Sequence, residues 1–142
     1  MAVTKYVLFG VATFLVGGAA MLPGITAPTP ERDLAMGMSY FSRQCSSLTR
    51  NRQINGNFGR GDAYCACLTD TLATSIRTGD EYRFAEGIHE AVGAERWVAQ
   101  KARMRAAIDR VKASFENRVS TPRMGEVLRE VIANARHCAQ SV

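Results

Sequence analysis

The sequence has few of the residues and motifs that build common active sites. Its 142 residues include only two histidines, His89 and His137, and neither belongs to a recognisable nucleophile motif. It has no CxxC redox motif and no CxxCH haem-attachment motif. The glycine-containing stretch 55–62 (NGNFGRGD) lacks the spacing of a phosphate-binding loop or a dinucleotide fingerprint. We therefore expect no catalytic residue, no cofactor and no metal site.

Strand patterns are also scarce, whereas helical patterns recur along the chain. Val, Ile, Thr and aromatic residues never alternate over a convincing run, while apolar residues repeat at spacings of three and four. With 46% hydrophobic and 22% charged residues, the composition is that of a folded chain rather than a disordered one. The sequence therefore predicts an all-α protein.

An uncharged N-terminal stretch predicts either a membrane anchor or a cleavable signal. Residues 6–22 (YVLFGVATFLVGGAAML) follow Lys5 and would form a helix of about 25 Å, near the short limit for crossing a bilayer. Lys5 favours an orientation that leaves the rest of the chain outside the cytoplasm. The small residues at 18–20 equally suit a signal-cleavage site. Both interpretations of 1–22 stay open.

In the anchored case, one side of this helix consists of small residues. They recur at helical spacing and would let a partner transmembrane helix approach closely: Gly10, Thr13, Gly17 and Ala20.

A proline-rich linker, 23–30, separates this segment from a predicted helical domain, 31–142. Thr29 and Pro30 predict the start of a first helix that ends near Arg50, and Asp62 predicts the cap of a second helix running through Ile76. Gly79 would close that helix. A short third helix, capped by Asp80 and ending near Gly93, would then reverse the chain.

Two further helices complete the prediction: one from about 95 to 116, and a last one whose start is marked by Thr121 and Pro122. The expected fold is thus a compact, disulfide-stapled helical bundle of four main helices plus one short helix.

Four cysteines beyond an export-type N-terminus predict two disulfides. They are Cys45, Cys65, Cys67 and Cys138. Cys65 and Cys67 point to different sides of one helix, about 200° apart, so a bond between them is geometrically poor. We expect Cys45 to pair with one of them and Cys138 with the other, with the second helix between its two partners. Thiol exchange by the CxC pair, or metal binding with the histidines, are the alternatives.

Arginine exceeds lysine fivefold in a chain of net charge +5. Arg96, Arg103 and Arg110 recur every seven residues on the fourth predicted helix, where they suit anionic lipid or an acidic partner. Nucleic acid would require a cytoplasmic domain and is not expected. We interpret the Glu86 and Glu90 pair as part of a solvated helix face.

These features favour a non-catalytic accessory subunit of a larger membrane protein complex. Its domain would lie on the periplasmic side of a membrane, best matched by the bacterial inner membrane. One alternative is a free periplasmic or secreted helical binding domain, left after signal cleavage. Another is a thiol-redox or metal-handling protein that uses the CxC pair.

Overall fold

A computed structural model describes residues 27–94 and 101–142, which form five α-helices. These are α1 (Pro30–Thr49), α2 (Gly61–Leu72), α3 (Gly79–Ala94), α4 (Lys101–Phe115) and α5 (Thr121–Ser141). The all-α prediction is confirmed for this part of the chain. No helix within it is both long enough and apolar enough to cross a membrane. The predicted segment 1–22 with Gly10, Thr13, Gly17 and Ala20, and the predicted contact residue Arg96, lie outside the described residues.

Capping patterns located the helix starts to within a few residues. Thr29 caps α1 as predicted, and its side chain accepts a hydrogen bond of 3.3 Å from the Arg32 amide. The other three predicted caps are wrong. Asp62 lies in the first turn of α2 rather than at its cap, and α2 ends at Leu72 instead of continuing to Ile76.

The remaining two caps are each misplaced by one or two residues. Thr78, not Asp80, caps α3, because the Thr78 hydroxyl accepts a hydrogen bond of 3.1 Å from the Glu81 amide. Ser120, not Thr121, is the N-cap residue of α5. Pro122 fits one position further into the helix because the first four helical amides need no partner within the helix.

The third helix is not a short reversing element, which corrects the prediction of four main helices plus one short one. α3 has 16 residues and packs against α1, α4 and α5. It is also the most buried helix, and its fully enclosed side chains include Tyr82, Phe84 and Ile88. A core helix is predicted from a regular pattern of apolar residues. Polar residues, Glu81 and His89 among them, occupy buried positions of α3 and interrupt that pattern, so the sequence does not predict its burial.

Four helices form a closed ring, and the fifth lies outside it. α1 packs on α2, α2 on α5, α5 on α3, and α3 back on α1, while α4 packs on α3. Successive helices alternate in direction. The starts of α1, α3 and α5 therefore meet at one end, called here the linker end. The end of α1, the start of α2 and the end of α5 meet at the other, called the disulfide end.

Two disulfides join the helices at the disulfide end. Cys45 of α1 is bonded to Cys65, and Cys138 of α5 is bonded to Cys67, with Cα–Cα distances of 5.8 and 5.7 Å. α2 lies between α1 and α5, as the opposed directions of Cys65 and Cys67 predict. The two bonds indicate an oxidising, non-cytoplasmic environment for the domain.

The linker end is held by glycine contacts and ion pairs instead. A Cβ atom on Gly37 would lie 2.6 Å from the Gly79 Cα, so α1 and the start of α3 approach at backbone distance. Asp33 accepts a hydrogen bond of 3.1 Å from the Gly79 amide and forms an ion pair of 3.1 Å with Arg83. These contacts fix the start of α1 against the start of α3.

A buried carboxylate ties α5 to the same end. Glu81 accepts hydrogen bonds from Arg123 at 3.0 and 2.9 Å and from the Arg77 amide at 2.8 Å. Burial acts to raise the pKa of Glu81, but these hydrogen bonds and the nearby positive charges outweigh it, so the pKa is lowered. Arg123 also donates to the Ser75 carbonyl, which ties the turn after α2 into the same network.

Removing each disulfide separately should show which one contributes more to the free energy of unfolding. The Cys67–Cys138 bond closes a sequence separation of 71 residues and the Cys45–Cys65 bond one of 20. Because a longer loop loses more entropy when it is closed, the double variant Cys67→Ala/Cys138→Ala should lose about 4 kcal/mol in the free energy of unfolding. The double variant Cys45→Ala/Cys65→Ala should lose about 3 kcal/mol. Urea denaturation monitored by circular dichroism measures both. The reverse order would show that native packing, not loop closure, governs their contribution.

Arg123→Met should destabilise the domain by about 3 kcal/mol near neutral pH, because it leaves Glu81 buried without its charge partner. Because the pKa of Glu81 is lowered by these contacts, this stabilisation is present above the carboxyl group's ordinary pKa and is lost as pH falls below it. Arg129→Met, at an exposed position of the same helix, is the matched control. Equal urea midpoints for the two variants would contradict the role given to Glu81.

Candidate functional site: a groove on α3

An open groove runs between α3 and α4. Its volume is about 460 Å³, and its lining combines small residues, one acid, one base and a hydroxyl: Gly87, Glu90, Ala91, Ala107, Arg110, Val111 and Ser114. A Cβ atom on Gly87 would lie 2.9 Å from Val111, so glycine at this position lets α4 approach α3 closely. The small side chains leave room above the two backbones, and the Glu90 and Arg110 charges face this space.

One side chain of α1, that of Tyr40, lies within electrostatic range of the acidic residues of α3. Tyr40 is close enough to Glu86 and Glu90 that their negative charges, added to the larger effect of its burial, raise the pKa of its hydroxyl. Met36 lies one helical turn before Tyr40 on the same side of α1, and the two are 41% and 36% exposed. The groove and these two exposed side chains are called here the α3 groove.

Glu86 differs from the solvated residue that the sequence suggests. It is 9% exposed, and burial, with the charge of Glu90 one turn away, raises the pKa of its carboxyl group. Glu90 itself is exposed, so the pair joins a buried acid to an accessible one. The acidic side of the α3 groove thus attracts positive charge, while Arg110 on the opposite wall attracts negative charge.

Arg103 and Arg110 are both exposed on α4, two helical turns or about 10 Å apart. Neither forms an ion pair within the described part of the chain. Arg110 lines the α3 groove, whereas Arg103 lies nearer the disulfide end. Their proposed contact with anionic lipid or an acidic partner stays a prediction.

One of the two histidines, His89, is buried near the disulfide end. His89 is 6% exposed, and its Nε2 atom is 2.9 Å from the Tyr64 hydroxyl. Its Nδ1 atom has no hydrogen-bond partner among the described residues. Burial, helped by the positive charge of Arg52, lowers the pKa of His89 to about 4, and burial raises the pKa of Tyr64 to about 12. Both side chains are therefore neutral at physiological pH.

All four cysteines are bonded, so no thiol is available for exchange or metal binding in this state. Three of the sulfurs are also buried, those of Cys45, Cys65 and Cys138. Among the described residues, no three His, Cys, Asp or Glu side chains converge as a metal site would require.

The chain matches no protein-family model, and no curated protein or solved structure shows significant similarity to it.

His89 should make the domain less stable as pH falls. Its pKa is lowered on folding, so the unfolded chain takes up a proton between pH 6.5 and 4 that the folded chain does not. The stabilisation is complete above pH 6.5 and is lost toward pH 4, a change of about 3 kcal/mol.

His89→Gln, which keeps a polar group for Tyr64 but does not titrate, should flatten the dependence of the unfolding free energy on pH across this interval. Urea denaturation of both proteins at the same series of pH values measures the difference. The effects of Glu81 and Glu86 are common to both proteins and cancel in this difference. Parallel pH profiles would mean that His89 is protonated in the folded domain as easily as in the unfolded chain.

Proposed function

We propose that this protein is a non-catalytic accessory subunit of a membrane protein complex, with its helical domain on the non-cytoplasmic side. In this proposal the N-terminal segment anchors the chain, and the α3 groove receives a polypeptide of the partner subunit. The observation that carries the proposal is the groove itself, which combines small lining residues with exposed apolar side chains and one charge of each sign.

The chemistry of the groove supports a polypeptide occupant. Small residues let a partner backbone approach, while Met36 and Tyr40 offer apolar surface; methionine is adaptable and tyrosine is enriched in interfaces. Glu90 and Arg110 on opposite walls would fix the direction of a bound segment by charge. One wall of the groove is α3, whose start is tied to α1 and α5 by ion pairs, so little ordering cost opposes binding on that wall.

The position of the groove also suits a partner that packs on the anchor. The linker 23–30 spans at most about 26 Å when extended. Met36 lies six residues after the start of α1, about 9 Å along its axis. A subunit that contacts the anchor is therefore within reach of the same face of the domain.

Glu90→Lys tests the proposal. We expect native membranes dissolved in mild detergent to yield the wild-type chain in a larger assembly, and Glu90→Lys largely as monomer. Native electrophoresis with detection of this chain measures both. Glu130→Lys makes the same charge change at an exposed position of α5 and should leave the assembly intact.

A wild-type chain that migrates as a lone monomer contradicts the proposal, and so does equal dissociation by the two variants. An intact mass showing that the mature chain lacks its N-terminal segment would favour the free periplasmic or secreted binding domain. In that protein the groove would serve a soluble partner.

A further inference from the structure

The loop between α1 and α2 presents a large apolar side chain to solvent. Phe58 is 70% exposed, the highest value among the large exposed hydrophobic residues of the described chain. All residues from 50 to 60 are exposed except Ile54, which is half-buried. The sequence pattern identifies this stretch only as a loop and gives Phe58 no role.

Hydrogen bonds and a disulfide hold the backbone of this loop in place. Ile54 and Asn57 exchange two backbone hydrogen bonds of 2.9 Å across a turn in which Asn55 and Gly56 both have positive φ, at 49° and 81°. This is the conformation of a tight hairpin turn. Arg52 donates a hydrogen bond to the Gly93 carbonyl at the end of α3, and the Cys45–Cys65 bond closes the base of the loop. Phe58 is therefore held at the surface by a fixed backbone.

The same end of the domain is rich in basic residues. Residues 50–61 contain three arginines and no acid, and the first turn of α4 adds two basic residues: Arg50, Arg52, Arg60, Lys101 and Arg103. α4 runs antiparallel to α3, with Phe115 against Phe84 and Val111 against Gly87, so its first turn lies at the disulfide end as well. Asp62 is the nearest acid along the sequence.

We propose that the disulfide end, centred on Phe58, docks on an anionic lipid surface. The basic residues are exposed and belong to separate elements at the end of the domain that also exposes the Phe58 ring. Such a surface complements a continuous layer of negative headgroups, which attracts every basic side chain and admits an aromatic ring at the interface. Each basic residue near the surface adds on the order of fivefold to partitioning at low salt.

The geometry of the chain is compatible with this contact in an anchored protein. An extended linker 23–30 of at most about 26 Å is comparable in length with α1, at about 30 Å. The linker therefore lets the disulfide end reach the bilayer that holds the anchor when the bundle axis tilts toward the membrane. The inference goes beyond the proposed function and needs no partner subunit.

Tryptophan fluorescence of the full chain in nanodiscs tests the contact. With the natural Trp97 replaced by Phe, one variant carries Phe58→Trp and a matched control carries Met36→Trp at the linker end. The lipids carry brominated acyl chains, which quench only a ring that enters the bilayer. Circular dichroism and non-reducing mass analysis confirm that each variant is folded with both disulfides formed.

We expect the tryptophan at position 58 to be quenched severalfold more in nanodiscs rich in phosphatidylglycerol than in phosphatidylcholine alone. The tryptophan at position 36 should not change. Raising the salt to 1 M shortens the screening length to about 3 Å and should abolish the difference, as should adding Arg50→Gln and Arg60→Gln.

Three results would overturn the proposal. One is that the tryptophan at position 58 is quenched equally in anionic and neutral lipid, or is quenched in neither. The second is equal quenching at positions 36 and 58. The third is shielding of position 58 in native membranes but not in anionic nanodiscs, which would assign this end to a protein.

Discussion

The arrangement of the domain depends on one feature of α2: its two cysteines point in opposite directions. Cys65 and Cys67 are separated by about 200° around the helix axis, so two bonds formed there must lead to two different neighbours. One leads to α1 and the other to α5. With α2 fixed between them, the remaining sides of α1 and α5 face a common space, and α3 fills it.

The two ends of the bundle are stabilised by different physical means. At the disulfide end, covalent bonds restrict the unfolded chain and act at any pH. At the linker end, Glu81 and Arg123 form a mostly buried ion pair whose contribution depends on the Glu81 carboxylate being charged. Acid therefore removes the stabilisation that Glu81 gives the linker end and that neutral His89 gives the core, while the two disulfides stay intact.

The sequence predicts the helices and the cysteine arrangement better than it predicts the site. Helical spacing and the Thr29–Pro30 start are local signals, and the directions of Cys65 and Cys67 follow from helix geometry alone, so they could be predicted without a structure. The central position of α3 could not, because Glu81 and His89 are buried through partners on other helices, Arg123 and Tyr64. The α3 groove joins Tyr40, Glu90 and Arg110, which are separated by 20 residues or more; only packing brings them together.

A domain held at both ends presents its surfaces in fixed positions relative to one another. The α3 groove lies along the side of the bundle, whereas Phe58 lies at the disulfide end. A partner in the groove therefore leaves Phe58 uncovered, and a bilayer at the disulfide end leaves Glu90 accessible. The two contacts are compatible in one molecule, so a lipid surface that orients the rigid domain would also set the direction in which the groove meets its partner.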